Sequence, residues 1–249
     1  MTIAVALGEL TVAERFRGPE GRANGGWIAG TLASGLVRPQ GTAVEVTLRA
    51  GTPLDVPLTV ATAEGEARLT RDGELLVEAK VVESAPVPPP FVSVVRAARA
   101  EEGYAGRAEE GYAGRAVHPY PGCFVCGLRE PGSGMRIFPG PVAGTDLIAA
   151  CWMVSPSVTT ESGEVPEAAI WAALDCPSGW VHLQEGRTAL LGRLTAQVHR
   201  PVYPGGTYVV VARSGGGEGR KLYGESALYE GNGTLIASAR ATWIATDRS

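Results

Sequence analysis

Apolar residues fall into two arrangements along this chain, and the order of those arrangements occurs twice. The first arrangement is alternation. Val44, Val46 and Leu48 alternate with Glu45, Thr47 and Arg49, the period of two expected for a strand with one buried face. Strands are also expected over residues 56–63, 67–71 and 75–82, with Asp72-Gly73 as a hairpin turn between the last two. Residues 9–16 alternate more loosely and read as an earlier strand. In the second half, residues 135–138, 147–154, 189–200, 207–214, 221–229 and 234–245 read as strands. Gly231-Asn232-Gly233 makes the final hairpin. The second arrangement is a continuous apolar run. Residues 27–36 form one, after Asn24, Gly25 and Gly26. Residues 165–180 form the other, carrying the acid Asp175 near its end. A helix that is apolar all round belongs inside a protein. Asn24 is a good N-cap for the first. Pro166 suits the first turn of the second, and Pro177, Ser178 and Gly179 are expected to stop it.

The order therefore repeats: one or two strands, a buried helix, four strands. Each half has a Pro/Gly interruption after its first post-helix strand, at residues 50–53 and 201–206. One helix wrapped by one meander cannot cover its own sheet. Two copies side by side can bury both helices under one continuous sheet, an α+β architecture. The expected divisions are an N-terminal repeat over residues 1–84, a linker over 85–117, and a C-terminal repeat over 118–249. Residues 84–90, SAPVPPP, exclude regular structure. The octapeptide EEGYAGRA occurs twice in tandem, over residues 101–108 and 109–116. Eight residues and two copies do not make a solenoid, so the repeat reads as a duplication in an exposed linker.

Composition narrows the class. Hydrophobic residues are 45% of the chain and charged residues 19%, enough for a real core. The net charge of −4 and the absence of a basic cluster argue against nucleic acid. The N-terminal stretch lacks a basic region and a long apolar run, and no run is long enough to cross a bilayer. The expected location is the cytoplasm. There the four cysteines, Cys123, Cys126, Cys151 and Cys176, are thiols, metal ligands or redox groups.

Asp175 is the first candidate for chemistry. At the end of an apolar helix it would be desolvated and would face the negative end of the helix dipole, and both raise an acid's pKa. The competing reading is an Asp that caps a loop or pairs with an Arg. Cys123 and Cys126 form a Cys-x-x-Cys pair. Buried thiols are the plainest reading. A zinc set completed by His118 and Cys176, or a redox pair, are the others. His182, possible on the solvent side, and His199 read as structural. Arg193, Arg200, Arg213 and Lys221 are scattered strand residues that could meet a phosphate.

The whole pattern resembles the hotdog fold, in particular the double-hotdog acyl-CoA thioesterases of the thioesterase II type. FRGPEGRANGGWIAGTLA looks like that family's entry into its first central helix. LRAGTPLDVPLTV and RDGELLVEAKVV look like the strands after it. VPEAAIWAALDCPSG resembles the segment in which many hotdog thioesterases carry an Asp. The resemblance continues at His199-Arg200-Pro201 and at residues 235–238, and HPYPGCFVCG looks like a group of actinobacterial thioesterase-like proteins. Only Asp175 carries over from the family's catalytic set. Ala33 and Ser34 stand where the first helix could hold an acid, and Leu191 and Ala241 stand where the family has Thr and Gln. The resemblance implies hydrolysis of an acyl thioester, on coenzyme A or a carrier, between the two central helices and without a cofactor. Asp175 would activate water, and Asn24 and the Gly26 amide would bind the carbonyl oxygen. Gly25, Trp27, Trp171 and Trp180 would line the acyl site. The alternatives are a non-catalytic binder of acyl groups or small ligands, and a lyase or cyclase in the same pocket. A homodimer joined through a sheet edge is a further possibility.

Overall fold

A computed structural model of the chain describes residues 5–105, 118–183 and 187–246. The first half contains β1 (Val5–Leu10), α1 (Gly25–Ser34), β2 (Ala43–Leu48), β3 (Leu58–Ala63), β4 (Glu66–Arg71) and β5 (Glu74–Val82). A helix, α2 (Val94–Ala105), follows. The second half contains β6 (Gly140–Pro141), β7 (Leu147–Met153), α3 (Glu167–Leu183), β8 (Ala189–Val198), β9 (Thr207–Glu218), β10 (Lys221–Glu230) and β11 (Leu235–Ala245).

Among the described residues eleven strands make one antiparallel sheet, in the order β1-β3-β4-β5-β2-β8-β11-β10-β9-β7-β6. Apart from the edge strand β6, the order is symmetric about the β2–β8 pair. β2 corresponds to β8, β5 to β11, β4 to β10, β3 to β9 and β1 to β7. β2 and β8 join the halves, pairing Val44 with Ala196 and Val46 with Leu194. All four of these side chains are buried. The expected Asp72-Gly73 turn is present, with φ of 50° and 84°, the left-handed pair that a two-residue hairpin turn needs.

α1 and α3 lie against each other on the inner face of the sheet. Gly26 and Gly30, one turn apart on α1, face α3 directly. A Cβ added to Gly26 would lie 2.4 Å from Asp175 Cβ and 2.6 Å from the Trp171 carbonyl oxygen. One added to Gly30 would lie 2.6 Å from Ala168 Cα. The glycines here serve close packing, since any side chain would hold the backbones apart.

Several expectations need correction. The first strand is Val5–Leu10, and Glu14–Phe16 is a 3-10 turn that turns Phe16 inward. There its ring stacks on Trp27, 3.8 Å between centroids, with Phe124 edge-on to both. α1 starts two residues before the expected position, because the Asn24 side chain accepts from Trp27 N–H and so caps Gly25 onward. Pro177 does not stop α3, which continues to Leu183. A proline costs a helix one N–H and crowds the preceding turn. Here that turn gains other partners: Ser226 Oγ donates to the Leu174 carbonyl and Ser178 Oγ to the Asp175 carbonyl. Residues 135–138 do not join the sheet. Met135 and Ile137 donate instead to the carbonyls of Phe124 and Val125, so the segment pairs with the cysteine loop. α2 lies inside the expected linker. Ala97 and Ala100 are buried with Val92 against Ala149, Val209 and Val211, so this segment covers the outer face of the second half of the sheet. The tandem octapeptide begins within α2, and residues 106–117 lie outside the described residues.

The helix contact makes a direct prediction. Gly30→Ala should lower stability by roughly 1–3 kcal/mol in urea denaturation, the cost of overpacking a tight core. Gly35→Ala is the control. Its added Cβ would meet nothing nearer than the Leu32 carbonyl at 3.5 Å, and stability should stay within about 0.5 kcal/mol.

Candidate functional site

Where α1 begins, α3 passes the middle of its length, and this crossing carries the site. Asp175 is buried there on α3. It is eight residues short of the helix end, so the dipole argument for its pKa does not apply. Its pKa is still pushed up to about 7, chiefly by desolvation. The Gly26 N–H, donating to Oδ2 at 2.7 Å, pulls the other way, as does Asn24 Nδ2 at 3.1 Å, whereas the nearby Cys123 raises it. The Asn24 amide is oriented by its own helix: Oδ1 accepts from Trp27 N–H at 2.9 Å, which turns Nδ2 toward Asp175. Asp175 Oδ1 is buried with no hydrogen-bond partner among the described residues.

A cavity of about 420 Å³ opens beside this carboxyl. Leu48, Trp180, Leu183, Leu191 and Trp243 supply apolar wall, and Asn24, Gly25 and Asp175 supply a polar end. An apolar chamber with a few converging polar groups is the usual form of a small-molecule site. Thr52 also lines it, and its buried hydroxyl has no partner among the described residues. Sequence reasoning missed Thr52, which lies in the interruption after β2. The signal was the matching interruption in both halves, which was read as a break in the strand and not as a loop delivered to the site. Arg22 and Arg49 stand at the same cavity, and Arg49 pairs with Glu78. None of the basic residues singled out from the sequence, Arg193, Arg200, Arg213 and Lys221, lines it.

Of the expected site residues, Asp175, Asn24, Gly25, Gly26 and Trp180 come together. Trp27 and Trp171 do not line the cavity. Trp27 belongs to the Phe16 stack. Trp171 is fully buried along the helix contact, its indole N–H donating to Glu167. The Gly26 amide is spent on Asp175, and Gly25 is the helix-start residue that lines the cavity. His182 is buried and donates from Nε2 to the Tyr223 carbonyl, not facing solvent.

The cysteine loop reaches the same place. Arg17 Nε donates to the Gly122 carbonyl, and Phe124 N–H donates to the Arg17 carbonyl, so a loop of the second half is tied over the entry to α1. Cys123, Cys126 and Cys176 are all buried, with their sulfurs within 4.8 Å of one another. Cys123 is held well below the ordinary thiol range, chiefly by donation from Cys126 and Cys176. Those two are raised because they donate to it. His118 lies outside this group. Its Nδ1 accepts from Tyr120 N–H and its Nε2 donates to the Cys126 carbonyl, both at 3.0 Å, so neither nitrogen is left for a metal. Burial lowers its pKa, and its ring is edge-on to Trp180. Cys151 stands apart on β7.

The fold and the site together define a class: two hotdog repeats fused in one chain, with their central helices crossing at a single buried carboxyl. Solved structures carry the same fold. A hot dog fold protein of unknown function from Alicyclobacillus acidocaldarius is 12% identical, with 97% of this chain and 93% of that chain covered at a TM-score of 0.59. A protein from Novosphingobium aromaticivorans with a provisional thioesterase name is 14% identical, covering 96% and 95% at 0.62. An acyl-CoA thioesterase II from Mycobacterium marinum is 11% identical, covering 97% and 93% at 0.56. No protein-family model matches the sequence, and a comparison with curated proteins finds no match. No helix among the described residues is long and apolar enough to cross a membrane.

Asn24 both caps α1 and donates to Asp175, and two substitutions separate these roles. Asn24→Ala should cost about 2 kcal/mol in chemical denaturation, from the lost cap and the carboxyl left with one donor fewer. Asn24→Ser keeps a capping oxygen and should recover about 1 kcal/mol of that.

Proposed function

We propose that this protein hydrolyses an acyl thioester, carried by coenzyme A or by a carrier protein, in the cavity between its two central helices. One observation carries the reading. A buried carboxyl has one oxygen fixed by the Gly26 amide and Asn24 and the other unpaired, at the polar end of an apolar chamber. The structural likeness to proteins named as thioesterases points to the same substrate class.

The chemistry needs an activated water, a carbonyl held in place and a sink for the oxyanion. Asp175 Oδ1 is the base. Water loses a proton to it while its oxygen attacks the thioester carbon. Gly25 and Thr52 line the cavity, and we assign the Gly25 N–H and the Thr52 hydroxyl to receive the developing negative charge. The carbon–sulfur bond then breaks, the thiolate leaves and takes up the proton, and a carboxylic acid remains. The apolar wall formed by Leu48, Leu183, Leu191 and Trp243 receives the acyl chain. Arg22 supplies positive charge at the cavity for a phosphate-bearing carrier arm. Leu191 replaces the polar strand residue expected by resemblance, so this mechanism relies on Asp175 without a side-chain partner from β8.

The test is hydrolysis of a panel of acyl-CoA thioesters followed by free-thiol release. Wild type should turn over at least one of them, and Asp175→Asn should lower kcat/KM on the order of 10²–10⁴-fold while still binding the substrate. Equal rates for the two proteins would remove Asp175 from the mechanism. Saturable binding without thiol release from any substrate would make the protein a binder and refute the hydrolase.

A further inference from the structure

The three clustered thiols have no part in that mechanism. Their surroundings are unusual for thiols that merely fill space. Cys123 and Cys126 bracket a tight turn closed by Gly127 N–H donating to the Cys123 carbonyl at 2.9 Å. In that turn the backbone N–H groups of Val125 and Cys126 donate to the Cys123 sulfur. The Trp180 indole N–H donates to the Cys126 sulfur. Asn24 Nδ2 points at the sulfurs of Cys123, 3.8 Å away, and Cys176, 3.7 Å away. Every sulfur thus meets at least one N–H donor. Such a shell suits negatively charged sulfur, since N–H groups stabilise thiolates, whereas thiols can satisfy one another.

The spacing is that of a metal site. Zinc binds thiolates at about 2.3 Å in a tetrahedron, which sets neighbouring sulfurs about 3.8 Å apart. Cys123 and Cys176 sulfurs are 3.7 Å apart, and Cys126 is within 4.8 Å of both. The carboxyl already described lies next in sequence, outside the sulfur group. Asp175 precedes Cys176, borders the same cavity, and keeps a buried oxygen without a partner.

We propose that Cys123, Cys126 and Cys176 bind a Zn²⁺ ion as three thiolates, with the fourth coordination position open to the cavity. Binding displaces one proton from each thiol to solvent, so Zn²⁺ and three thiols become a complex of charge −1 and three H⁺. The ion staples the loop of the second half to α3 at the mouth of α1, where Asn24 already links both. His118 is no ligand. It props the turn through the Cys126 carbonyl. This site stands whether or not the cavity hydrolyses thioesters, because its readout needs no substrate.

The test uses the full chain, reduced and stripped by a chelator, then titrated with Co²⁺ as a spectroscopic stand-in for zinc. Wild type should gain sulfur-to-cobalt charge-transfer absorption that saturates at about one ion per chain and is displaced by Zn²⁺. Cys151→Ser should keep that absorption, and Cys176→Ser and Cys123→Ser should weaken or lose it. No charge-transfer absorption in folded, reduced wild type would overturn the proposal. So would absorption undiminished in both of those variants, which would place the ion elsewhere.

Discussion

The constraint on which the molecule depends is how closely α1 and α3 approach. At Gly26 and Gly30 there is no room for even a methyl group between the two backbones. That contact does more than fill the core. It brings the first free amides of α1 within reach of a side chain on α3, so that Gly26 N–H can hold Asp175 at 2.7 Å. A helix N-terminus is the one part of a helix whose N–H groups have no partner of their own. Two helices crossing at mid-length would have no such groups to offer. The site exists because the start of one helix meets the middle of the other, and it meets it there because two glycines allow it.

The carboxyl placed at this crossing is costly. Desolvation outweighs the two donors that Gly26 and Asn24 provide, and the net effect is a raised pKa. The chain invests further in the same turn of α3. Ser226 reaches across from β10 to the Leu174 carbonyl, Ser178 turns back on the Asp175 carbonyl, and Trp243 on β11 donates to Ser178. Gly179 and Gly224 let Trp243 and the Ser178 carbonyl come close. The turn around Pro177 is thereby tied to β10 and β11. Structure that costs stability at one residue and is braced by several others marks a functional position more often than a packing accident.

Most of the fold was legible in the sequence, because strands with one buried face write their period directly. Val44, Val46 and Leu48, and the Asp72-Gly73 turn, behave as their pattern says. The crossing of α1 and α3 was legible in kind, from Asn24-Gly25-Gly26 and Asp175, though not in geometry. The losses have physical causes. Pro177 signals a helix end by local rules, yet the helix runs on through a turn whose carbonyls accept from Ser226 on β10 and from Ser178. Residues 135–138 have strand character, but their partner is an irregular loop and no propensity names it. Thr52 has no pattern at all, since a loop residue reaches a site through the path of the chain. Trp27 and Trp171 are aromatic residues on the right helices, and rotation about the helix axis sends them to the core and the helix contact instead of the cavity.

The near-symmetry of the sheet explains why one end of the helix pair is a site and the other is not. The two-fold relation that exchanges β2 with β8 also exchanges the start of α1 with the start of α3. It therefore predicts a second cleft, bounded by residues 38–41, the loop at Val198–Pro201 and the first turn of α3. That cleft is present, lined by Arg38, Gly41, Val165, Glu167, Arg200 and Pro201. An ion pair occupies it. Arg38 donates to Glu167 at 2.5 Å and to the Ala33 carbonyl at the end of α1, and Glu167 also accepts from the Trp171 indole. Where the first cleft has an acid with an unpaired oxygen, the second has an acid neutralised by arginine. Ala33, buried and apolar, stands near the position equivalent to Asp175. Fusion of two repeats in one chain lets the halves differ in this way. A homodimer of single repeats must place the same residues in both clefts, whereas this chain fills one cleft with an ion pair that ties the two helices and leaves an unpaired Asp175 oxygen at the other.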